Sequence, residues 1–369
     1  MKLPWSNPSV KSSPPLVALS QLPIAAWGST DPGTLVKDGY SGNAVVYRCV
    51  RMIAETAASI GFVASDERVQ SIILEPSPDD AGQTLFERLY TDIQITGNGW
   101  LEAVTLPDQS TPRGLFSLRP DGVRVRHDKA GQITGYGVKL KRGERVIARE
   151  ADGWSPVLHM KLYHPSDNTY GLSPLSAARK SLDVHNGAAG WAKALIDNAA
   201  RPSGALLYGK DGARLTDEQF DRLKHQLTSE HAGAANAGRP LLLEGGLDWQ
   251  PMSLPPVEMD FTETRHAAAR EIALAFGVPP MLLGIPGDNT YSTYKEAHLA
   301  FWRLTILPLV QKTANALTVW LRGRFDDVEV KPDLDQTPAL AADREALWAR
   351  VSAADFLSAA EKRRILGIE

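Results

Sequence analysis

The sequence predicts an α+β fold on three observations. Apolar residues recur at helical spacing near the start and again towards the end of the chain, whereas the block from about 100 to 160 alternates with a period of two. One helical pattern, Tyr294 to about Leu321, is sustained for roughly 40 Å at 1.5 Å per residue. The 369 residues also exceed one ordinary core, so two or three regions that can interleave in sequence are expected.

Residues 1–40 contain Pro4, Pro8, Pro14, Pro15, Pro23 and Pro32 among Ser and Gly, which predicts an extended arm. A first helix runs from Asn43, as N-cap, to Ile60, with Val46, Cys49, Val50, Ile53, Ala57 and Ile60 on one face and Gly61 as terminator. A second covers about Leu85 to Ile95. From Gly97-Asn98-Gly99 onward the period becomes two, in runs at 100–104, 114–118, 123–125, 133–138, 145–147 and 157–160 separated by polar turns, which predicts an antiparallel meander. Ser173-Pro174, an N-cap before an N1 proline, opens a helix to about Asn198. A strand at Gly204–Tyr208 follows, then a helix from Thr216 to about Glu230, then the small-residue link 232–238. Leu241–Gln250 reads as a hairpin turning at Gly245-Gly246. A helix from about Met259 to Phe276 delivers the chain into Gly277–Thr290, whose three Gly and three Pro exclude regular structure. Thr293 and Glu296 form a capping-box pattern for the long helix. Inside that helix Pro308 cannot donate to the Leu304 carbonyl, which predicts a kink near Leu304. A short strand at 328–330 and a C-terminal helical region complete the chain.

Bulk properties narrow the function. The chain is 43% hydrophobic and 22% charged, with a net charge of −3. A near-neutral balance argues against a protein that grips nucleic acid through bulk positive charge. The lone Cys49, on an apolar helix face, reads as a core residue in a reducing compartment and excludes an intramolecular disulfide. No secretory signal and no membrane span are expected, because the start has no apolar core and Leu299–Val310 carries Arg303 and Pro308.

Catalytic signatures are weak. Gly209-Lys210 is followed by Asp211 and not by Ser or Thr, so it makes no phosphate loop. No Gly-x-Ser-x-Gly elbow, His-Glu-x-x-His run or Cys pair occurs. Asp260, Glu263 and His266 lie three apart on one helix and could hold a metal, which would suit a metal-dependent nuclease or nucleotide hydrolase acting on DNA. The adopted reading is a solvated polar face with Arg265 and Arg270 as partners. His159 and His164 read as structural, and Trp302 and Trp320 as core packing at helical spacing and not as a ligand box. Gly284-x-x-Gly287 reads as a tight turn.

Five runs taken in order carry a resemblance: Asn43-Ala44-Val45-Val46-Tyr47-Arg48-Cys49-Val50, Gly97-Asn98-Gly99-Trp100-Leu101-Glu102, Tyr170-Gly171-Leu172-Ser173-Pro174-Leu175, Phe276-Gly277-Val278-Pro279-Pro280-Met281-Leu282-Leu283-Gly284, and Tyr291-Ser292-Thr293-Tyr294-Lys295-Glu296-Ala297. The sequence resembles the portal proteins of tailed bacteriophages, including the shorter versions in phage-derived particles such as gene transfer agents. The likeness spans about residues 43 to 325; beyond about 326 it lies only in being helical.

The resemblance implies a structural protein with no catalytic residue, metal or cofactor. It implies a homo-oligomeric ring, usually of twelve copies, at one capsid vertex of a virion or phage-like particle assembled in the host cytoplasm, with no membrane partner. Double-stranded DNA would enter and leave through this ring, and the large terminase, the major capsid protein and a head-to-tail adaptor would be its partners. The implied portal fold has an N-terminal arm (1–40), an α/β wing (41–213), a helical stem (214–231 and 258–276), a small β-containing clip (232–257), a tunnel loop (277–292), a long kinked wing helix (293–335) and a short helical crown (336–369). Asn236, Arg239, Glu244, Asp248 and Trp249 would present the clip to the terminase and adaptor. Pro286, Gly287, Asp288, Asn289, Thr290 and Lys295 would face the DNA. A conduit must let DNA slide, and every strong phosphate contact adds to affinity through counterion release, so a polar, mildly acidic lining with few cations is the expected solution. A ring also needs heterologous contacts that close by rotation.

Overall fold

The computed structural model describes residues 28–106, 109–197, 204–208, 247–251, 261–286, 291–335 and 340–366, together with Thr216, Glu218, Asp221, Arg222, His225 and Thr337. Of the expected arm, residues 1–27 lie outside the described residues. The remainder is helical and not extended: α1 (Pro32–Thr34) runs into a π-helical stretch, Leu35–Tyr40. Pro32 sits at the start of a helix, where its missing N–H costs nothing, and Asp31 caps it by accepting from Gly33 N (3.0 Å) and Thr34 N (3.3 Å). Leu35 is buried in the main core.

Helix α2 (Ala44–Ala58) starts as the sequence predicts, with Asn43 Oδ1 accepting from Val45 N and Val46 N. Strand β1 (Phe62–Ala64) and helix α3 (Glu67–Leu74), capped by Asp66, were not legible in the periodicity. Helix α4 (Gly82–Thr96) stops at Gly97, whose φ of 78° supplies the left-handed cap.

The expected single meander is two sheets. β2 (Asn98–Thr105) is flanked by β3 (Pro112–Leu118) and by the last strand of the block, β7 (Val157–Lys161). Between them β4 (Val123–His127), β5 (Ile133–Lys139) and β6 (Glu144–Ala148) form a separate antiparallel sheet. The reason is burial: Asn98 to Ala103 are buried without alternation, so β2 is a central strand and needs a partner on both edges. The inserted sheet closes its own small core, Val123, Tyr136 and Val138 against Trp100 and Val157.

The helix expected over 173–198 is broken at Ala178 into α5 (Pro174–Ala177) and α6 (Arg179–Asp197), with Ser173 as cap. β9 (Leu247–Pro251) pairs antiparallel with β8 (Gly204–Tyr208), Leu206 opposite Trp249; the first strand and turn of the expected hairpin, 241–246, lie outside the described residues. Of the stem segment 214–231, Glu218, Asp221, Arg222 and His225 are helical. Helix α7 (Phe261–Phe276) packs on α6 and α2.

The Gly/Pro segment is not wholly irregular, since Pro280–Leu283 makes a 3-10 turn ended by Gly284 at φ 72°. The long helix begins at Tyr291 and not at Tyr294, so Thr293 lies inside the first turn of α8 (Tyr291–Phe301) and the capping box is not its start. Trp302–Ile306 is π-helical, and α9 (Leu307–Leu321) follows. The break falls around Leu304, as Pro308 requires: a widened turn accommodates the missing donor. β10 (Val330–Pro332), two residues later than expected, pairs with β1 and ties the two ends of the chain. Helices α10 (Ala341–Ala353) and α11 (Ala359–Leu366) end the described chain. The main core joins α2, α4, α7, the π turn and α9.

One half-buried carboxyl, on α4, makes stability depend on pH. Burial raises Asp92 to about 7, Asp121 adds to the rise and Arg119 offsets it. The folded protein therefore holds a proton that the unfolded chain loses near pH 4, and stability falls as pH rises from about 4 to about 7. Asp92→Asn is expected to raise stability at pH 8 by about 2 kcal/mol and to change little at pH 4. Urea titrations at the two pH values measure the difference, and equal effects at both would contradict the assignment.

Candidate functional site

The residues expected to face the channel lie where α7 hands the chain to α8. α7 ends in a Schellman cap: Gly277 N donates to Leu274 O (3.0 Å), and Val278 N to Ala273 O (2.9 Å), with Gly277 at φ 67°. Thr305, in the π turn, donates its hydroxyl to Gly277 O (2.6 Å), and a β-carbon at 277 would stand 2.8 Å from that hydroxyl. The glycine thus serves both the left-handed turn and the close approach of the broken helix.

From there the chain is anchored step by step. Val278 and Ile285 are buried. Arg270 on α7 donates through Nη2 to Pro286 O (2.7 Å) while its Nη1 reaches Glu263 Oε1 at 3.2 Å. Pro286 is therefore a fixed root, tied back to the helix sixteen residues earlier in sequence. Gly287, Asp288, Asn289 and Thr290 lie outside the described residues. Lys295 is exposed on the first turns of α8, between Tyr294 and Glu296, which are exposed too. The sequence marks Arg270 only as a partner on the polar face and does not single out Thr305, since a lone Arg and a lone Thr carry no motif for anchoring a loop.

The other proposed surface is described only at its base. Asp248 and Trp249 sit on β9 opposite Leu207 and Leu206; Asn236, Arg239 and Glu244 lie outside the described residues. Glu263 pairs with Arg270 and lies 3.8 Å from His266, as the polar-face reading expects, and Asp260 lies outside the described residues. Among the described residues no group of three His, Cys, Asp or Glu is placed to hold a metal. Burial pushes the Cys49 thiol up to about 12, so it stays protonated and unreactive.

The remaining motif residues hold the fold. Asn98 Oδ1 accepts from Gly171 N (2.8 Å) and from His159 Nε2 (2.9 Å), and Leu162 N donates to Gly97 O (2.9 Å). The His159 ring stacks on Trp100 with centroids 3.5 Å apart, and burial drives its pKa down to about 3, so it is a neutral structural group. Trp302 and Trp320 are core residues. Leu274 and Leu304, in contrast, each stand within three residues of the Gly277–Thr305 contact in sequence and are 78% and 77% exposed.

The chain is 39% identical to an uncharacterized protein of Rickettsia felis over 99% of this chain and 95% of that one. It is 48% identical, with a TM-score of 0.71, to a chain in the neck of a native gene transfer agent particle computed with C12 symmetry, covering 93% of this chain and 95% of that chain. An HK97-family phage portal protein from Corynebacterium diphtheriae, 15% identical over 85% of this chain and 99% of that chain, shares the fold with a TM-score of 0.62. The family model described as phage portal protein matches residues 44–367, which extends the likeness through the C-terminal helices beyond residue 326. The chain belongs to the phage portal protein family and is a structural portal protein, not an enzyme.

Proposed function

We propose that twelve copies of this chain form a ring at one vertex of a phage-like capsid, through which double-stranded DNA is packaged and later released. The observation that carries this is the 48% identity, over nearly the whole chain, to a chain from a neck computed with C12 symmetry. In the ring, 41–213 and 293–335 form the wing, 214–231 and 258–276 the stem, 232–257 the clip, 277–292 the tunnel loop and 336–369 the crown. The clip, with Asn236, Arg239, Glu244, Asp248 and Trp249, docks the large terminase and then the head-to-tail adaptor, and the wing meets the major capsid protein.

The tunnel loop is the working surface. Its root at Pro286 is held by Arg270, and its return carries Lys295 beside Glu296, so the described margins present little net positive charge to brake the DNA. Leu274 and Leu304 supply apolar area for the neighbouring subunit in a head-to-tail contact. Deleting Gly287 to Asn289 tests the reading in a packaging assay. Rings are expected to form as before, seen by electron microscopy, while the length or retention of packaged DNA falls at least tenfold in yield. Normal packaged length and retention would refute the channel role of the loop.

A further inference from the structure

The near-neutral charge of the whole chain hides a strong local excess. Residues 119–149 hold nine Lys and Arg against three Asp and Glu, whereas the full chain holds 40 against 43. This stretch is the inserted sheet β4-β5-β6 with its turns. One face of the sheet is closed against Trp100 and Val157; the other faces solvent. Of its cations, Arg119 pairs with Asp121, Arg126 with Glu144 and Arg145 with Glu102, and Arg149 donates to Gly153 O. Among the described residues, Arg124, Lys129, Lys139, Lys141 and Arg142 are exposed and have no carboxylate within ion-pair distance.

Register gathers four of these five at one end of the sheet. Arg124 on β4 pairs with Gly137, which puts it on the same face as Lys139 at the end of β5, one diagonal step away. Lys141 and Arg142 follow in the β5–β6 turn, closed by Leu140 N donating to Gly143 O (3.0 Å) with Gly143 at φ 85°. Lys129 stands in the β4–β5 turn at the opposite end. The outward positions of the central strand are Gly135, Gly137 and Lys139; their partners on β6 are Ala148, Val146 and Glu144, and Glu144 also lies over Gly137.

We infer that this end of the inserted sheet, Arg124 with Lys139, Lys141 and Arg142, is a second DNA-binding surface, outside the tunnel loop, that engages the phosphate backbone without reading sequence. The choice of DNA over an acidic protein follows from what the face lacks. Protein interfaces deplete lysine at their centre and anchor on aromatic side chains. Here the aromatic of the sheet, Tyr136, is buried on the inner face, and the outer face sets Arg124, Arg126 and Lys139 beside glycines, with aliphatic Val146 and Ala148 but no aromatic along β6. A phosphate backbone needs only such point charges. The inference rests on the proposed function for taking DNA as the polyanion; the charge separation itself is independent of it.

The test uses the assembled full-length protein and a short fluorescent DNA duplex, with affinity measured by anisotropy across a salt series. Each phosphate neutralised contributes about −0.9 to the slope of log affinity against log salt. A quadruple variant, Arg124→Gln, Lys139→Gln, Lys141→Gln and Arg142→Gln, is expected to flatten that slope by about 3.6 and to weaken binding at low salt at least tenfold. Its melting temperature should stay unchanged, because these four side chains make no ion pair in the fold. An unchanged slope and affinity would overturn the inference. So would wild-type protein that binds polyglutamate as tightly as DNA and loses both in the variant, since that outcome identifies an acidic protein partner. Electron microscopy of the same samples separates this from the portal reading: absence of rings refutes the ring, whereas the salt slope alone decides the basic sheet.

Discussion

Alanine at Gly97 is expected to lower folding stability by about 3 kcal/mol, although it adds a single methyl group. Two costs combine. The residue sits at φ 78°, where an L side chain is disfavoured by about 1–2 kcal/mol. The new β-carbon would also stand 2.5 Å from Gly171 O and 2.7 Å from Gly171 C, and these are backbone atoms that no rotamer change can move. Overpacking of this kind costs about 1–3 kcal/mol. The contact is reciprocal, because a β-carbon at Gly171 would stand 2.1 Å from Gly97 O. Two distant glycines therefore allow one close crossing of backbone, which Asn98 then fixes through its bond to Gly171 N. Urea unfolding of Gly97→Ala measures the effect; a loss below about 1 kcal/mol would show that the crossing relaxes freely.

Trp320→Ala should cost about 4 kcal/mol, in the range for removing a large aromatic from a core. Trp320 is 7% exposed and stacks on Trp154 with ring centroids 6.1 Å apart at 12°. The pair is reciprocally hydrogen-bonded to backbone: Trp154 Nε1 donates to Trp320 O (2.9 Å) and Trp320 Nε1 to Ser155 O (2.7 Å). Arg324 covers the outer face, its guanidinium 4.1 Å from the Trp154 ring while it pairs with Glu150 and Asp152. The arrangement fastens the chain leaving the inserted sheet to the end of α9. Trp320→Phe keeps most of the apolar area and loses one hydrogen bond, so about 1–2 kcal/mol is expected for it. Equal losses for the two variants would mean that the hydrogen bond, and not the packing, dominates.

Several elements were legible because their signals are local. Asn43 capping α2, Ser173-Pro174 opening α5, the stop at Gly97 and the interruption imposed by Pro308 each depend on atoms a few residues apart. The same locality explains two errors. Pro32 was read as a breaker although a proline at the first helical turn is tolerated, and the Thr293 to Glu296 spacing pointed to a start three residues too late. The candidate site was partly legible: its glycines marked the turn, but its anchors, Arg270 on Pro286 and Thr305 on Gly277, join residues 16 and 28 apart in sequence and leave no pattern. The basic sheet was present in the residues throughout, and averaging charge over the whole chain concealed it.

By itself the sequence determined most of the longer helices, the caps of α2 and α5, the α+β class and the family. The tertiary structure alone decided which strands meet: β7 returning to β2, β8 joining β9, and β1 joining β10 across the length of the chain. The physical reason is where the hydrogen bonds close. A helix satisfies its backbone within four residues, so its limits are written in its own side chains, whereas a strand must find its donors on another segment, and that choice depends on which buried edges the assembled core leaves open.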